Sequence, residues 1–93
     1  MNRYDVHHDA SAQRFELHVE GLMSRADYRL VDGIMHLVHT EVPPQQQGRR
    51  LAAALVAAAL AYARAHGLKV RPVCSYVRAY MARHPETQDL LAR

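Results

Sequence analysis

The chain is expected to be an α+β protein carrying one mixed sheet, in the order β-β-β-β-α-β-α. Three observations predict this. The first half alternates apolar and polar residues in short runs, with Asp32-Gly33 set between two of them. A single alanine-rich stretch, LAAALVAAALAYARAHG, follows and is long enough only for a helix. Another apolar run, KVRPVC, comes directly after it. A helix between two sheet strands makes a crossover, so those strands should be parallel and the connection right-handed.

The elements follow in chain order. Residues 4–7 are short and extended. Residues 12–20 alternate around Phe15, Leu17 and Val19, as a half-buried strand does, and Gly21 marks a turn. Residues 22–31 form the third strand, with alternation best from Ala26 onward. Asp32-Gly33 is a two-residue hairpin signal, because both positions tolerate positive φ. Residues 34–42 are the fourth strand. Simple alternation puts Met35, Leu37 and His39 on one side and Ile34, His36, Val38 and Thr40 on the other. Both sides are largely apolar, so a central strand covered on both faces is expected. Pro43-Pro44 ends it.

The helix is expected over residues 48–66. Leu51, Leu55, Ala58, Ala59 and Tyr62 make one stripe, widened by Val56, Leu60 and Ala63. Arg64 and His66 suit the negative end of its dipole, and Gly67 suits the position just past it. Residues 68–74 are the fifth strand, with one edge left unpaired at Pro72. Ser75 is placed to cap a short helix over residues 76–84, which Pro85 stops. Residues 86–93 add a last turn.

Ninety-three residues make one small domain, 1–93, with a modest core. At 49% hydrophobic residues the chain should fold, and no window is apolar enough to span a membrane. The first residues, MNRYDVHHDAS, lack the apolar core of a signal peptide. Cys74 is the only cysteine, which rules out an internal disulfide and points to a reducing, cytoplasmic setting. The net charge of +3 comes almost wholly from arginine, with Lys69 the one lysine. The arginines are scattered from Arg3 to Arg93, and the doublet Arg49-Arg50 stands alone. That pattern fits an anionic small molecule better than a nucleic acid.

The stretch with most chemistry in it lies where the fourth strand meets the helix. The first amides of a helix have no internal partners and sit at the positive end of its dipole. Most helices satisfy them with Ser, Thr, Asp or Asn. Here the approach is Gln45-Gln46-Gln47-Gly48, then Arg49-Arg50, with no strong cap. Those amides are expected to stay open for a phosphate group.

Strand, polar glycine turn, alanine-rich helix and following strand together resemble motif A of the GNAT acetyltransferase superfamily. Its turn reads Gln/Arg-x-x-Gly-x-Gly/Ala, against Gln47-Gly48-Arg49-Arg50-Leu51-Ala52 here. Gln47 and Ala52 match; Arg50 replaces the central glycine, and Gly48 sits at a variable position. The segments His39-Thr40-Glu41-Val42-Pro43, Cys74-Ser75-Tyr76-Val77, Tyr80 and Arg83-His84-Pro85-Glu86 are similar to a small, single-domain branch of that superfamily. The branch lacks two helices that help larger members build the acceptor site.

The resemblance implies a GNAT-like fold, acetyl-CoA as the cofactor and an amine as acceptor, small-molecule or protein. It assigns the pyrophosphate to the loop Gln47, Gly48, Arg49, Arg50, Leu51 and Ala52, and the pantetheine arm and thioester carbonyl to the main chain at Val42. Arginine does not enter positive φ cheaply, so Arg50 is expected either in ordinary helical backbone or pointing outward to phosphate. Glu41 can act as general base or can simply pair with an arginine. His39 can share the proton work or can be a packed histidine. Cys74, before a helix N-terminus, can be a nucleophile or acyl relay, or a small buried hydrophobe. Tyr76 and Tyr80 lie four apart on one helix face; one can protonate the departing thiolate, with Tyr80 preferred, or both can simply pack. Tyr76 also stands among the cofactor-binding residues.

No metal site is expected. His36 and His39 face opposite sides on simple alternation, as do His7 and His8, and no Cys or Asp completes a set. Phosphate-loop and dinucleotide fingerprints are absent. The leading expectation is an N-acetyltransferase, a monomer or weak dimer, without nucleic acid or membrane. The alternatives are a coenzyme A or acyl-CoA binding module with little or no turnover, and a small basic RNA-binding protein, which the lack of an aromatic strand pattern disfavours.

Overall fold

A computed structural model describes residues 4–93; Arg3, the first of the scattered arginines, lies outside the described residues. Five strands form one sheet in spatial order β1-β2-β3-β4-β5: β1 His7–Asp9, β2 Arg14–Val19, β3 Leu22–Val31, β4 Ile34–Glu41 and β5 Lys69–Pro72. The first four run antiparallel, and β4 and β5 are parallel. Helix α1, Leu51–Ala65, makes the crossover, and α2, Ser75–Arg83, follows β5. Short 3-10 segments at Pro44–Gln46 and Pro85–Leu90 complete the chain.

The two central hairpins close as their turn residues demand. Glu20-Gly21 has φ 54° and 77°, and Asp32-Gly33 has φ 52° and 76°. Positive φ at both central positions is the turn whose twist matches the flanking strands. The first strand lies three residues later than expected, because His7, His8 and Asp9 are the residues opposite Glu16, Phe15 and Arg14. The fifth strand is shorter than expected. Pro72 has no N–H, and the amides of Val73 and Cys74 both donate back to the Leu37 carbonyl at 3.0 Å.

One irregularity sets the faces of β4. Asp27 lies opposite His39, but Tyr28 lies opposite Leu37, so Val38 is an extra residue in β4. Such a bulge reverses the alternation beyond it. Thr40 therefore shares the face of Leu37, while His36, His39 and Glu41 lie together opposite Arg29, Asp27 and Arg25. This corrects the simple alternation, which put His39 with Leu37 and separated His36 from His39.

Helix α1 packs on one face of the sheet. Its Leu51, Ala54, Leu55, Val56, Ala59, Leu60 and Ala63 are buried with Phe15, Leu17, Ala26, Tyr28, Met35, Leu37 and Val70. Val77 and Met81 of α2 and Leu90 join the same core. No described helix covers the other face. Arg25, Asp27 and His36 are half-buried there, and Arg29, His39, Glu41 and Arg71 are exposed. The expectation that β4 is covered on both faces is thus corrected: Met35 and Leu37 are buried, whereas Ile34 and Val38 are only half-buried.

Helix ends follow local chemistry. At the end of α1, Gly67 adopts φ 67°, its N–H donates to Arg64 O at 3.4 Å, and Leu68 N–H donates to Ala63 O at 2.9 Å. That pair of bonds is the left-handed glycine stop expected there. Arg64 reaches Asp89 with two bonds at 2.8 and 2.9 Å and the Glu86 carbonyl at 2.9 Å, pinning the last 3-10 segment to α1. Ser75 is the first residue inside α2 rather than its cap; Cys74 holds the cap position with extended backbone. Beyond Leu90 the chain returns to the sheet, where Leu91 bridges to Val70.

Candidate functional site

The site begins at the mouth of α1. Its cap residue, Arg50, offers no side-chain cap, and the first-turn bond of Ala54 N–H to Arg50 O at 3.1 Å leaves the preceding amides without helical acceptors. Arg50 sits at φ 65°, ψ 27°, in the left-handed region. The expectation of ordinary helical backbone at Arg50 is corrected: the arginine takes the conformation a glycine would take. Bulky residues avoid it at a cost of about 1–2 kcal/mol. Strain of this kind persists where the surrounding structure over-determines it. Gly48, at φ 89°, also needs a glycine conformation, and open space lies where its Cβ would be.

These residues line an open pocket of about 440 Å³ with Val42, Gln46, Gln47, Leu51, Ala52 and Tyr76. Seven of the eight lining residues, all but Gln46, are ones the resemblance assigns to the cofactor. Arg49 is the one so assigned that does not line it. Its guanidinium pairs with Glu20 at 3.2 Å, and its carbonyl accepts from Tyr4 at 2.9 Å. Gln47 donates to the Val42 carbonyl at 3.3 Å, which folds the loop over the end of β4.

Gln46 was missed. Its side chain is buried; Nε2 donates to the Val19 carbonyl at 2.7 Å, while Oε1 has no partner among the described residues. A buried, unpaired amide oxygen on a pocket wall is an acceptor looking for a donor. The sequence held only a faint signal of it, a third glutamine in a run of three.

Next to this loop the pairing of β4 with β5 ends. The two strands pair from Ile34↔Lys69 to Leu37↔Pro72 and no further, while β4 continues to Glu41. Cys74 stands where they part, its Sγ 3.7 Å from Thr40 Oγ1 across the gap. Burial would push the Cys74 thiol up. The backbone amide of Val77, the Thr40 hydroxyl and the amides of Tyr76 and Thr40 together outweigh it and hold the thiol below its usual value. Thr40 came into play only through the Val38 bulge, which alternation cannot reveal.

Tyr76 and Tyr80 part company. Tyr76 lines the pocket at the mouth of α1. Tyr80 lines a separate cavity of about 180 Å³ with Leu60, Arg64, Glu86 and Thr87, and stacks on His84 at 3.9 Å. Burial and the negative charge of Glu86 push the Tyr80 hydroxyl above its usual value.

His39 and Glu41 lie on the uncovered face. Glu41 accepts from Arg25 at 3.2 Å and from His39 at 3.3 Å, and Arg25 also holds Asp27 at 3.0 Å. The pairing of Glu41 with an arginine is therefore present, and His39 is half-exposed rather than packed on an apolar face. Among the described residues no group of three His, Cys, Asp or Glu is arranged to hold a metal ion.

Residues 14–90 match the family model described as GCN5-related N-acetyl-transferase. Protein NATD1 of Mus musculus is 35% identical over 88 residues, covering 91% of this chain and 80% of that protein. Protein NATD1 of Homo sapiens is also 35% identical over 88 residues, with 91% and 78% covered. In fold, the chain resembles a GCN5-like protein of Staphylococcus aureus solved by NMR, with a TM-score of 0.72 at 21% identity, covering 99% of this chain and 91% of that one. A match across β2 to the last 3-10 segment, on a mixed sheet whose parallel strands part beside an uncapped helix, places this chain in the GCN5-related N-acetyltransferase family.

Proposed function

We propose that this protein transfers an acetyl group from acetyl-CoA to an amine. One observation supports the reading most: β4 runs on past its last pairing with β5, so its free edge leads from the uncapped mouth of α1 to Cys74 and Thr40. A diphosphate suits the mouth, because open amides, the helix dipole and the Arg50 charge converge there. The open space over Gly48 lets a ligand approach the backbone closely. Acetyl-CoA, when bound, supplies an activated acyl carbon on a good thiolate leaving group.

The chain's own residues then have three tasks. The amides after Gln47, from Gly48 to Ala52, anchor the phosphates, with Arg50 beside them; Arg49 supports the loop through Glu20. Main chain at the end of β4, up to Val42, aligns the arm by strand-like hydrogen bonds. Glu41, with His39 beside it, takes the proton released as the amine nitrogen bonds to the acyl carbon, directly or through water. A tyrosine of α2 would donate a proton to the sulfur that leaves as the C–S bond breaks. Tyr76 fits that task better than Tyr80, since only Tyr76 lines the pocket. Cys74 is close enough to shape the acyl site, and its lowered pKa makes a covalent relay chemically open to it. The acceptor is a small-molecule or protein amine.

A second reading, a coenzyme A binding module with little turnover, draws support from Glu41, already engaged by Arg25 and His39. Thiol release from acetyl-CoA in the presence of a panel of amines separates the two. The enzyme reading expects amine-dependent release, with Cys74→Ala keeping turnover within about tenfold if transfer is direct. Binding without release would favour the module. Complete loss in a folded Cys74→Ala protein would favour the relay.

A further inference from the structure

The uncovered face of the sheet is divided by charge. Toward the end of β4 its ions are paired: Arg25 holds both Asp27 and Glu41, and Arg14 and His18 hold Glu16. Toward the β3–β4 hairpin lies a row with no acid in it. Arg29, His36 and Arg71 are directly opposite one another on three adjacent strands. Arg29 and Arg71 are exposed and flank the half-buried His36. None of the three side chains has a hydrogen bond or ion pair among the described residues. Lys69, two residues before Arg71, is turned to the Asp89 carbonyl at 2.8 Å, and Asp89 itself is held by Arg64.

Like charges side by side on a sheet are destabilising. Here two guanidinium groups stand two strand spacings apart, roughly 10 Å at the backbone, with an imidazole between them. Their long side chains can converge on one group. Guanidinium forks and an imidazole N–H are the donors that oxyanions take up best.

We propose that Arg29, His36 and Arg71 form an oxyanion-binding subsite on the uncovered face, which docks the phosphate or carboxylate of the acceptor amine. This rests on the acetyltransferase reading, in which Glu41 and His39 meet the amine. Those residues lie on the same face of β4, beyond His36. On β3 the partners of His39 and Glu41, Asp27 and Arg25, lie two and four residues from Arg29, so at roughly 3.3 Å each the two subsites are about 7–13 Å apart, His39 at the near end and Glu41 at the far end. The acceptor is accordingly a small amine carrying an acidic group at that distance, and the paired acids near Glu41 receive its ammonium end. The same division rejects a polyamine, whose second cation would fall on the arginine row.

The binding arm of the test stands apart from catalysis. Protein loaded with coenzyme A is titrated with inorganic phosphate, and separately with acetate, at constant ionic strength, following arginine Nε–H and histidine signals by NMR. Saturating shifts centred on Arg29, His36 and Arg71 are expected, weakened about tenfold or more in Arg29→Gln/Arg71→Gln and unchanged in Arg83→Gln. Tighter saturation by phosphate or by acetate names the acidic group. Linear shifts spread over all exposed arginines, or saturation that survives the double substitution, would overturn the subsite. In the catalytic arm, thiol release with glucosamine 6-phosphate should show a lower KM than with glucosamine, and the double substitution should remove the difference. Equal KM values in the parent protein would overturn its role in docking the acceptor. Loss of all turnover with phosphate binding intact would instead count against the acetyltransferase reading.

Discussion

Arg50 is the residue on which sequence and structure meet least comfortably. The family turn carries glycine there, and the backbone keeps the glycine conformation, φ 65°, with an arginine in it. Replacing it by glycine removes about 1–2 kcal/mol of left-handed strain and adds roughly 0.5–1 kcal/mol of unfolded-state entropy. Arg50→Gly should therefore be as stable as the parent or up to about 1.5 kcal/mol more stable by urea midpoint. A clear loss would mean that the side chain, not the backbone, holds the turn. The motif positions were legible in the sequence because they are local. The partners of Arg49 and Glu41 were not, because Glu20 lies in the β2–β3 turn and Arg25 on β3. The sequence suggested an arginine pairing for Glu41 without saying which arginine.

His8 makes a second case at this scale. Its ring stacks on Phe15 at 4.2 Å, meets the edge of Tyr62 at 4.5 Å, and bonds through Nε2 to Tyr28 Oη at 2.6 Å. Burial lowers its pKa; Asp9 opposes that, and His66 and His7 add to it. The unfolded chain takes up this proton near pH 6.5, the folded chain only at lower pH. Between those values the unfolded chain holds the extra proton. The contribution of His8 to stability therefore falls as pH drops below about 6.5, and levels off once the folded-state ring protonates. Urea midpoints measured between about pH 7.5 and 5.5 should decline less in His8→Phe than in the parent. Equal slopes would contradict this assignment.

At the scale of elements, period and turn chemistry carried most of the fold. The hairpin at Asp32-Gly33, the third strand, the alanine-rich crossover and the glycine stop were all readable, since each is written in neighbouring residues. The stop can be tested directly. Gly67→Ala forces a Cβ into φ 67° and should cost about 1–2 kcal/mol, seen as a lower urea midpoint with an unchanged slope. An unchanged midpoint would show that the C-terminus of α1 has another way to end. The Val38 bulge was not readable, because one extra residue in an apolar strand leaves the composition unchanged while reversing every side chain after it. It places Thr40 beside Cys74 and gathers His36, His39 and Glu41 on the open face.

Across the whole molecule, one sheet is covered on one side only. Both helices and the last 3-10 segment share a single core on that side, and no described helix is long and apolar enough to cross a membrane. The polar face was hidden from a strand-by-strand reading, in which Ile34 and Val38 argued for burial. It emerges only when the registers of β2 to β5 align their charged residues. One-sided burial leaves the parted ends of β4 and β5 reachable from both faces, with the α1 mouth on one and Glu41 on the other. Gln46 links the loop to the far end of β2, so the site is tied to the sheet beyond its own two strands.

The central claim is that the open amides at the start of α1 hold a diphosphate. Calorimetric titration with acetyl-CoA tests it most directly, comparing the parent with Gly48→Asp and checking the fold of each by circular dichroism. Saturable binding of one equivalent is expected, lost or weakened at least about a hundredfold when a carboxylate stands beside the phosphates. Equal affinity in the two folded proteins, or no binding by the parent, would contradict the account.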